Sequence, residues 1–112
     1  MQSKDLVAAS AKPLVLSILV HKESYGYEII QNVKKLSGGN MQWTDGMLYP
    51  ILHRLEDQGL IESAWKTSNE GRRRKYYRIR KEGKTALAEN RKQWDIVNST
   101  LNKIWEDKLC LT

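Results

Sequence analysis

The residues of this chain best suited to chemistry are cations. Arg72, Arg73, Arg74 and Lys75 follow Gly71 with no acidic residue among them. Adjacent positive charges repel one another, so such a run serves either as a solvated face or as a surface that meets an anion. A second group, Tyr49, His53 and Arg54, lies within the segment from Gly46 to Gln58. A phenol hydroxyl, an imidazole and a guanidinium all bond phosphate oxygens, and arginine also reaches the O6/N7 edge of guanine. Both groups suit a polyanion, and the competing reading of each is an ordinary polar surface.

Other chemistries are poorly served. No Gly-rich phosphate loop, nucleophile elbow or cluster of Cys, His and carboxylates is present, so the sequence does not read as an enzyme. His21 and His53 are the only histidines and Cys110 the only cysteine, a set that cannot build a Cys/His zinc site. No metal or other cofactor is expected. A lone cysteine forbids an intrachain disulfide and points to a reducing cytoplasm. No stretch approaches the roughly 18 apolar residues of a membrane span, and Met1–Asp5 is not the start of an export signal, so neither a membrane nor secretion is expected.

The 112 residues carry a net charge of +6 and are 40% hydrophobic, which allows one modest core and favours an anionic partner. A domain this small buries a limited share of its own surface, so a second copy packing against it is a natural source of further burial.

The elements that must position the cations follow from apolar spacing. Pro13 to Val20 is apolar on nearly every side and begins with a proline suited to a first helical turn, which predicts a buried helix starting there; its β-branched content leaves a strand as the alternative. Ile29, Ile30, Val33 and Leu36 recur at helical spacing after Ser24, the expected N-cap, and Gly38-Gly39 end that helix. Thr44 and Asp45 offer a cap for a third helix, in which Leu48, Ile51, Leu52 and Leu55 share one face, and Gly59 closes it. Pro50 implies either a loose first turn or a late start. The apolar face being inward, Gly46, Pro50 and His53 lie opposite it, with Tyr49 and Arg54 on the flanks.

Alternation of Ile61 with Trp65 and of Tyr77 with Ile79 predicts a hairpin turning near Asn69 to Gly71. On alternating strands the basic run cannot point one way, so either Arg72 with Arg74 or Arg73 with Lys75 is expected on phosphate. Trp43, Trp65 and Tyr77 read as packing residues, whereas Tyr76 suits either packing or base stacking. From Lys81 to about Leu109 the pattern is one long helix. Leu87, Trp94 and Leu101 are seven apart, and Val97, Ile104 and Leu111 form a second line interrupted by Asn90, a seam that calls for a partner helix.

Three helices and a hairpin describe a mainly α fold with a small β element, a winged helix-turn-helix over residues 1–80 followed by a dimerisation helix over 81–112, the two forming one compact unit. The third helix would enter the major groove and the hairpin would be the wing. A winged helix also serves RNA or protein partners, which is the alternative function.

The segments Tyr25-Gly26-Tyr27-Glu28-Ile29, Gly46 to Glu56, Gly59-Leu60-Ile61 and Gly71 to Tyr77, in this order, resemble the motifs of PadR-type bacterial regulators. The resemblance continues through Gly83 and Trp94. It implies a sequence-specific regulator of transcription, a repressor released from its operator by a small-molecule effector. The implied homodimer is held by the last helix with help from Leu14 and Ile18 of the first. One C-terminal helix places the chain with the short subfamily. DNA contact is carried over from the family to Tyr25, Tyr49, Arg54 and the wing, and Thr44, Gly46, Pro50 and His53 of the third helix complete the expected DNA-binding set. Trp94 either packs in the dimer seam or stacks, with its symmetry mate, on a planar aromatic ligand.

Overall fold

The computed structural model of the chain describes residues 4–106. Helix α1 spans Lys4–His21 and is followed by a two-residue strand β1, Ser24–Tyr25. Helices α2, Gly26–Leu36, and α3, Asp45–Asp57, lead into strands β2, Ile61–Thr67, and β3, Arg73–Ile79. Helix α4 runs from Lys81 to Glu106. The three strands form one antiparallel sheet in the order β1-β3-β2.

Two expectations are corrected at the start of the chain. Helix α1 does not begin at Pro13 but at Lys4, with the proline inside it. The residues before it include Ala8, Ala9 and Ala11, the best helix formers, and the missing N–H of Pro13 removes one bond from a ladder that the rest of the helix maintains. Ser24 is a strand residue paired with Tyr77 rather than an N-cap. The cap position of α2 belongs to Tyr25, whose backbone N–H donates to the Glu28 carboxylate at 3.3 Å. Ser24 instead turns its hydroxyl inward and donates to the Lys22 carbonyl at 3.0 Å.

The core lies between the helices and one face of the sheet. Val15, Leu16 and Leu19 from α1, Ile29 and Val33 from α2, Leu48, Leu52 and Leu55 from α3, and Ile61 and Tyr77 from the sheet are all buried. Trp43 is buried too, as its sequence pattern suggested. Fully burying one such aliphatic side chain is worth about 1.5–3 kcal/mol, so this cluster dominates the stability of the winged unit.

Helix α4 is fixed at its first turn. Gly83 faces the Leu60 carbonyl so closely that a Cβ there would collide with that oxygen and would stand 2.7 Å from Ile79 Cγ1. Leu87, placed by its spacing in the dimer seam, is only 7% exposed within the single chain. It packs in the protomer's own core, because the first turns of α4 still lie on the body of the molecule. From Arg91 to Glu106 every residue is exposed, although Arg91, Trp94 and Asp95 still border α1 across a groove. Leu109 and Leu111 lie outside the described residues.

Candidate nucleic-acid interface

Helix α3 is built to present one face. Its Thr44 cap accepts a hydrogen bond from the Met47 N–H at 3.3 Å, and the Thr44 carbonyl accepts from Met47 and Leu48 at 3.1 and 3.0 Å. The first turn is therefore neither loose nor late, and the helix passes through Pro50. It ends where Gly59 adopts φ 74°, a left-handed conformation that suits glycine, with the Leu60 N–H bonded to the Leu55 carbonyl at 3.0 Å. With Leu48, Leu52 and Leu55 buried, Gly46, Tyr49, Pro50, His53 and Arg54 are exposed.

Helix α2 crosses behind this face. The Tyr49 hydroxyl lies over Gly26, where a Cβ would approach it to 2.7 Å. The tyrosine ring thus bridges the two helices while its edge stays accessible. Where α3 meets the sheet, the Ser63 hydroxyl donates to Glu56 Oε2 at 2.5 Å. Beside them Tyr77 is 1% exposed, and its hydroxyl makes no hydrogen bond with a described residue. Burial, reinforced by Tyr49 and Glu56, pushes its pKa from 10.0 up to about 12.

The hairpin turns through Ser68–Arg72, closed by a 2.8 Å bond from the Ser68 N–H to the Arg72 carbonyl, with Gly71 at φ 80°. Its register settles which cations share a side. Ile61, Ser63, Trp65 and Thr67 stand opposite Ile79, Tyr77, Lys75 and Arg73, whereas Glu62, Ala64 and Lys66 stand opposite Arg78, Tyr76 and Arg74. Ser63 touches Glu56 of α3, so Arg73 and Lys75 lie on α3's side of the sheet and Arg74 on the other.

Aromatic rings rather than acids accompany these cations. The Arg73 guanidinium is 5.4 Å from the Trp65 ring, Arg74 is 4.2 Å from Tyr25, and Lys75 Nζ is 5.6 Å from Tyr77. Tyr25 in turn meets Tyr76 edge to face at 5.4 Å. Two carboxylates near the hairpin are engaged elsewhere, Glu23 with Lys66 and Glu62 with Arg78, and Glu70 of the turn itself pairs with none of the four cations. Among the described residues, none of Arg72, Arg73, Arg74 and Lys75 has a carboxylate partner. Trp65, read from the sequence as a packing residue, is 58% exposed because the outer half of the hairpin extends past the body of the protein. The alternation of β2 gave its side but not the reach of the core.

Away from this surface, Trp94, Val97, Leu101 and Ile104 are exposed along α4, joined by Ile96 and Trp105. Trp94 borders a groove of about 380 Å³ between α1 and α4, together with Leu14, Pro13, Met41, Arg91 and Asp95. Ile18 and Leu14 line a second groove, of about 500 Å³, between α1 and α2.

The model of the transcriptional regulator PadR-like family matches residues 15–89, from the middle of α1 through the wing into α4. The chain belongs to the PadR-like family of transcriptional regulators. A protein of Lysinibacillus sphaericus is 31% identical over 106 residues, spanning 95% of this chain and 97% of that protein. A transcriptional regulator of Mycobacterium tuberculosis is 33% identical over 89 residues, 80% of this chain and 79% of its own length. The crystal structure of a PadR-like transcriptional regulator from Bacillus cereus superimposes with a TM-score of 0.84 at 30% identity, covering 94% of this chain and all of that one (100%). This PadR-like protein is therefore a DNA-binding regulator of transcription with the winged-helix fold. PadR-like regulators bind DNA and typically dimerise.

Proposed function

We propose that this PadR-like regulator is a homodimeric repressor of the bacterial cytoplasm that acts by binding an operator, without catalysis, and leaves it when a planar aromatic effector binds. The observation that carries the DNA interface is the un-neutralised run from Arg72 to Lys75, held on a hairpin that is hydrogen-bonded to the exposed helix α3 through Ser63 and Glu56. In this reading Tyr49, His53 and Arg54 meet the major groove, supported by Thr44, Gly46 and Pro50, while Tyr25 and the wing meet the flanking backbone. The exposed stripe of Trp94, Val97, Leu101 and Ile104 is the dimer seam, with Leu14 and Ile18 at its margin. Trp94, at the mouth of the α1/α4 groove, is the residue that would stack on the effector. No helix of the described residues is long and apolar enough to cross a membrane, which accords with a regulator that works on DNA.

The test is footprinting on the DNA upstream of the protein's own gene, followed by titration of the complex. For a protein making about 6–10 phosphate contacts, affinity falls roughly 10³- to 10⁵-fold between about 50 and 200 mM salt. A flat salt dependence refutes the DNA interface. A planar cationic dye is expected to quench Trp emission and release the operator, and unchanged emission at high dye concentration refutes the effector role of Trp94.

A further inference from the structure

Trp65 sits on the outer half of β2, directly opposite Lys75 and diagonal to Arg73. Nothing in the core explains a tryptophan there. Ala64, Trp65, Lys66 and Thr67 are all exposed, and the ring is more than half open to solvent. What the ring touches is a cation, the Arg73 guanidinium at 5.4 Å. That arginine has no carboxylate to hold it, lies in a row of like charges, and is on the same side of the sheet as α3. An unrestrained arginine in this position would sample many rotamers and would be driven outward by its neighbours. The negative face of an indole opposes both effects, since it attracts the guanidinium and gives its plane a surface to lie on.

We propose that Trp65 is a positioning residue of the DNA interface, a platform that holds the Arg73 guanidinium on α3's side of the wing so that it meets phosphate already ordered. The inference rests on the reading of the wing as a DNA contact. It also divides the basic run by role. Arg73, on Trp65, belongs to the side shared with the recognition helix, and Arg74, on Tyr25, braces the opposite side against the start of α2. The platform adds no charge of its own, so its removal lowers affinity while leaving the number of phosphate contacts available to the arginine unchanged.

The experiment is a double-mutant cycle on the full-length dimer, comparing the parent, Trp65→Ala, Arg73→Ala and the double variant, with Trp65→Tyr as the conservative replacement. Binding to a labelled random-sequence duplex is read by fluorescence anisotropy across a salt series. A cation–π contact at an exposed site corresponds to about a twofold to fivefold change in an equilibrium constant per wing. Trp65→Ala is expected to weaken binding by at least that factor when Arg73 is present and to have no effect when Arg73 is alanine. Trp65→Tyr is expected to restore most of the loss, and Trp65→Ala to keep the parent's salt slope and melting temperature. Independent, additive effects of the two alanine substitutions, or a tyrosine variant as weak as the alanine one, would overturn the proposal while the wing remained a DNA contact. A parent protein that does not bind the duplex at all would overturn the wing reading and this proposal with it.

Discussion

The Tyr49 hydroxyl of the recognition helix rests on Gly26, the first residue of α2, so closely that a β-carbon at Gly26 would stand 2.7 Å from it. The two helices of the helix-turn-helix are thereby keyed together by one exposed ring and one missing side chain. Gly26→Ala leaves a helix that alanine favours, and the atom it displaces is the end of a side chain free to swing toward solvent. Stability is expected to change by less than about 1 kcal/mol, while DNA affinity falls because Tyr49 leaves its place. Thermal melts and operator titrations check this, and an unchanged affinity would show that Tyr49 does not act on DNA from the position it holds here.

Gly83 faces a different kind of neighbour. A methyl group there meets the backbone carbonyl of Leu60, which already accepts the Arg80 N–H at 2.9 Å and has no room to yield. Gly83→Ala is expected to destabilise the protein by about 1–3 kcal/mol or more, since overpacking against backbone shifts the whole first turn of α4. Urea unfolding at matched protein concentration measures the effect; wild-type stability would mean that α4 docks more loosely than the contact implies.

These two glycines also show what could be read in advance. Both fall within the motifs by which the chain resembles its family, yet only packing explains why each is glycine. Spacing alone was sufficient for α2 and α3, where Ile29 and Val33, or Leu48, Leu52 and Leu55, fall on one face and Thr44 and Gly59 mark an end. It was insufficient for β1, because a two-residue strand exists only through its pairing with Tyr76 and Tyr77, far along the chain. Leu87 followed the heptad of Trp94 and Leu101 faithfully, but periodicity does not say whether the protomer's own core or a second copy covers a position. The residues before Pro13 are mostly solvent-facing, so the first turns of α1 left little apolar pattern to find.

Tyr77 ties stability to alkaline pH. An unfolded tyrosine titrates near 10, whereas the buried one titrates at about 12, so the folded state holds this proton more tightly. The sign follows: the contribution is complete below the unfolded value and is lost as pH rises through the folded one. Between about pH 10 and 12 the loss is on the order of 2–3 kcal/mol at most. Tyr77→Phe removes an enclosed hydroxyl without a partner and is expected to be no less stable at neutral pH. Other tyrosines and lysines titrate in the same range, so the quantity to compare is the difference between the two proteins in urea unfolding at about pH 9 and about pH 11.5. A difference that does not change with pH would remove Tyr77 as the source.

The wing and the recognition helix should fail in different ways. Replacing Arg72, Arg73 and Arg74 by alanine takes three charges from each hairpin, so affinity for every sequence should fall and the salt slope should shrink by roughly one unit per lost phosphate contact. Dimerisation should be untouched, and stability should fall only by the two lost ring contacts, about 0.5–1 kcal/mol each, since none of the three arginines is in the core. Substituting His53 or Arg54 should instead alter the preference among operator variants, by about 1–3 kcal/mol wherever a base edge is read. Parallel titrations on operator and random duplex separate the two patterns. A triple variant that binds as tightly as the parent at physiological salt would take the basic run out of the interface.

The proposed dimer seam on α4 would decide whether both surfaces reach DNA together. Val97, Leu101 and Ile104 are exposed in the single chain, so the outer half of α4 carries apolar surface that its own protomer leaves uncovered. A twofold pair places Leu101 in the interface twice; full burial of a leucine is worth about 1.5–3 kcal/mol, and each Leu101, 37% exposed in the single chain, gains the part of this that remains. Leu101→Asp forfeits both and sets two carboxylates near the axis, so the dimer dissociation constant should rise by at least about a hundredfold. The winged unit should keep its helical signal, because its core ends at Leu87. Binding to a two-half-site operator should then become weaker and depend more steeply on protein concentration, as each half-site is occupied without the other. Sedimentation velocity and operator titration on the same preparation test the link, and a monomer that binds the full site as tightly as the parent would show that the two wings do not act as a pair.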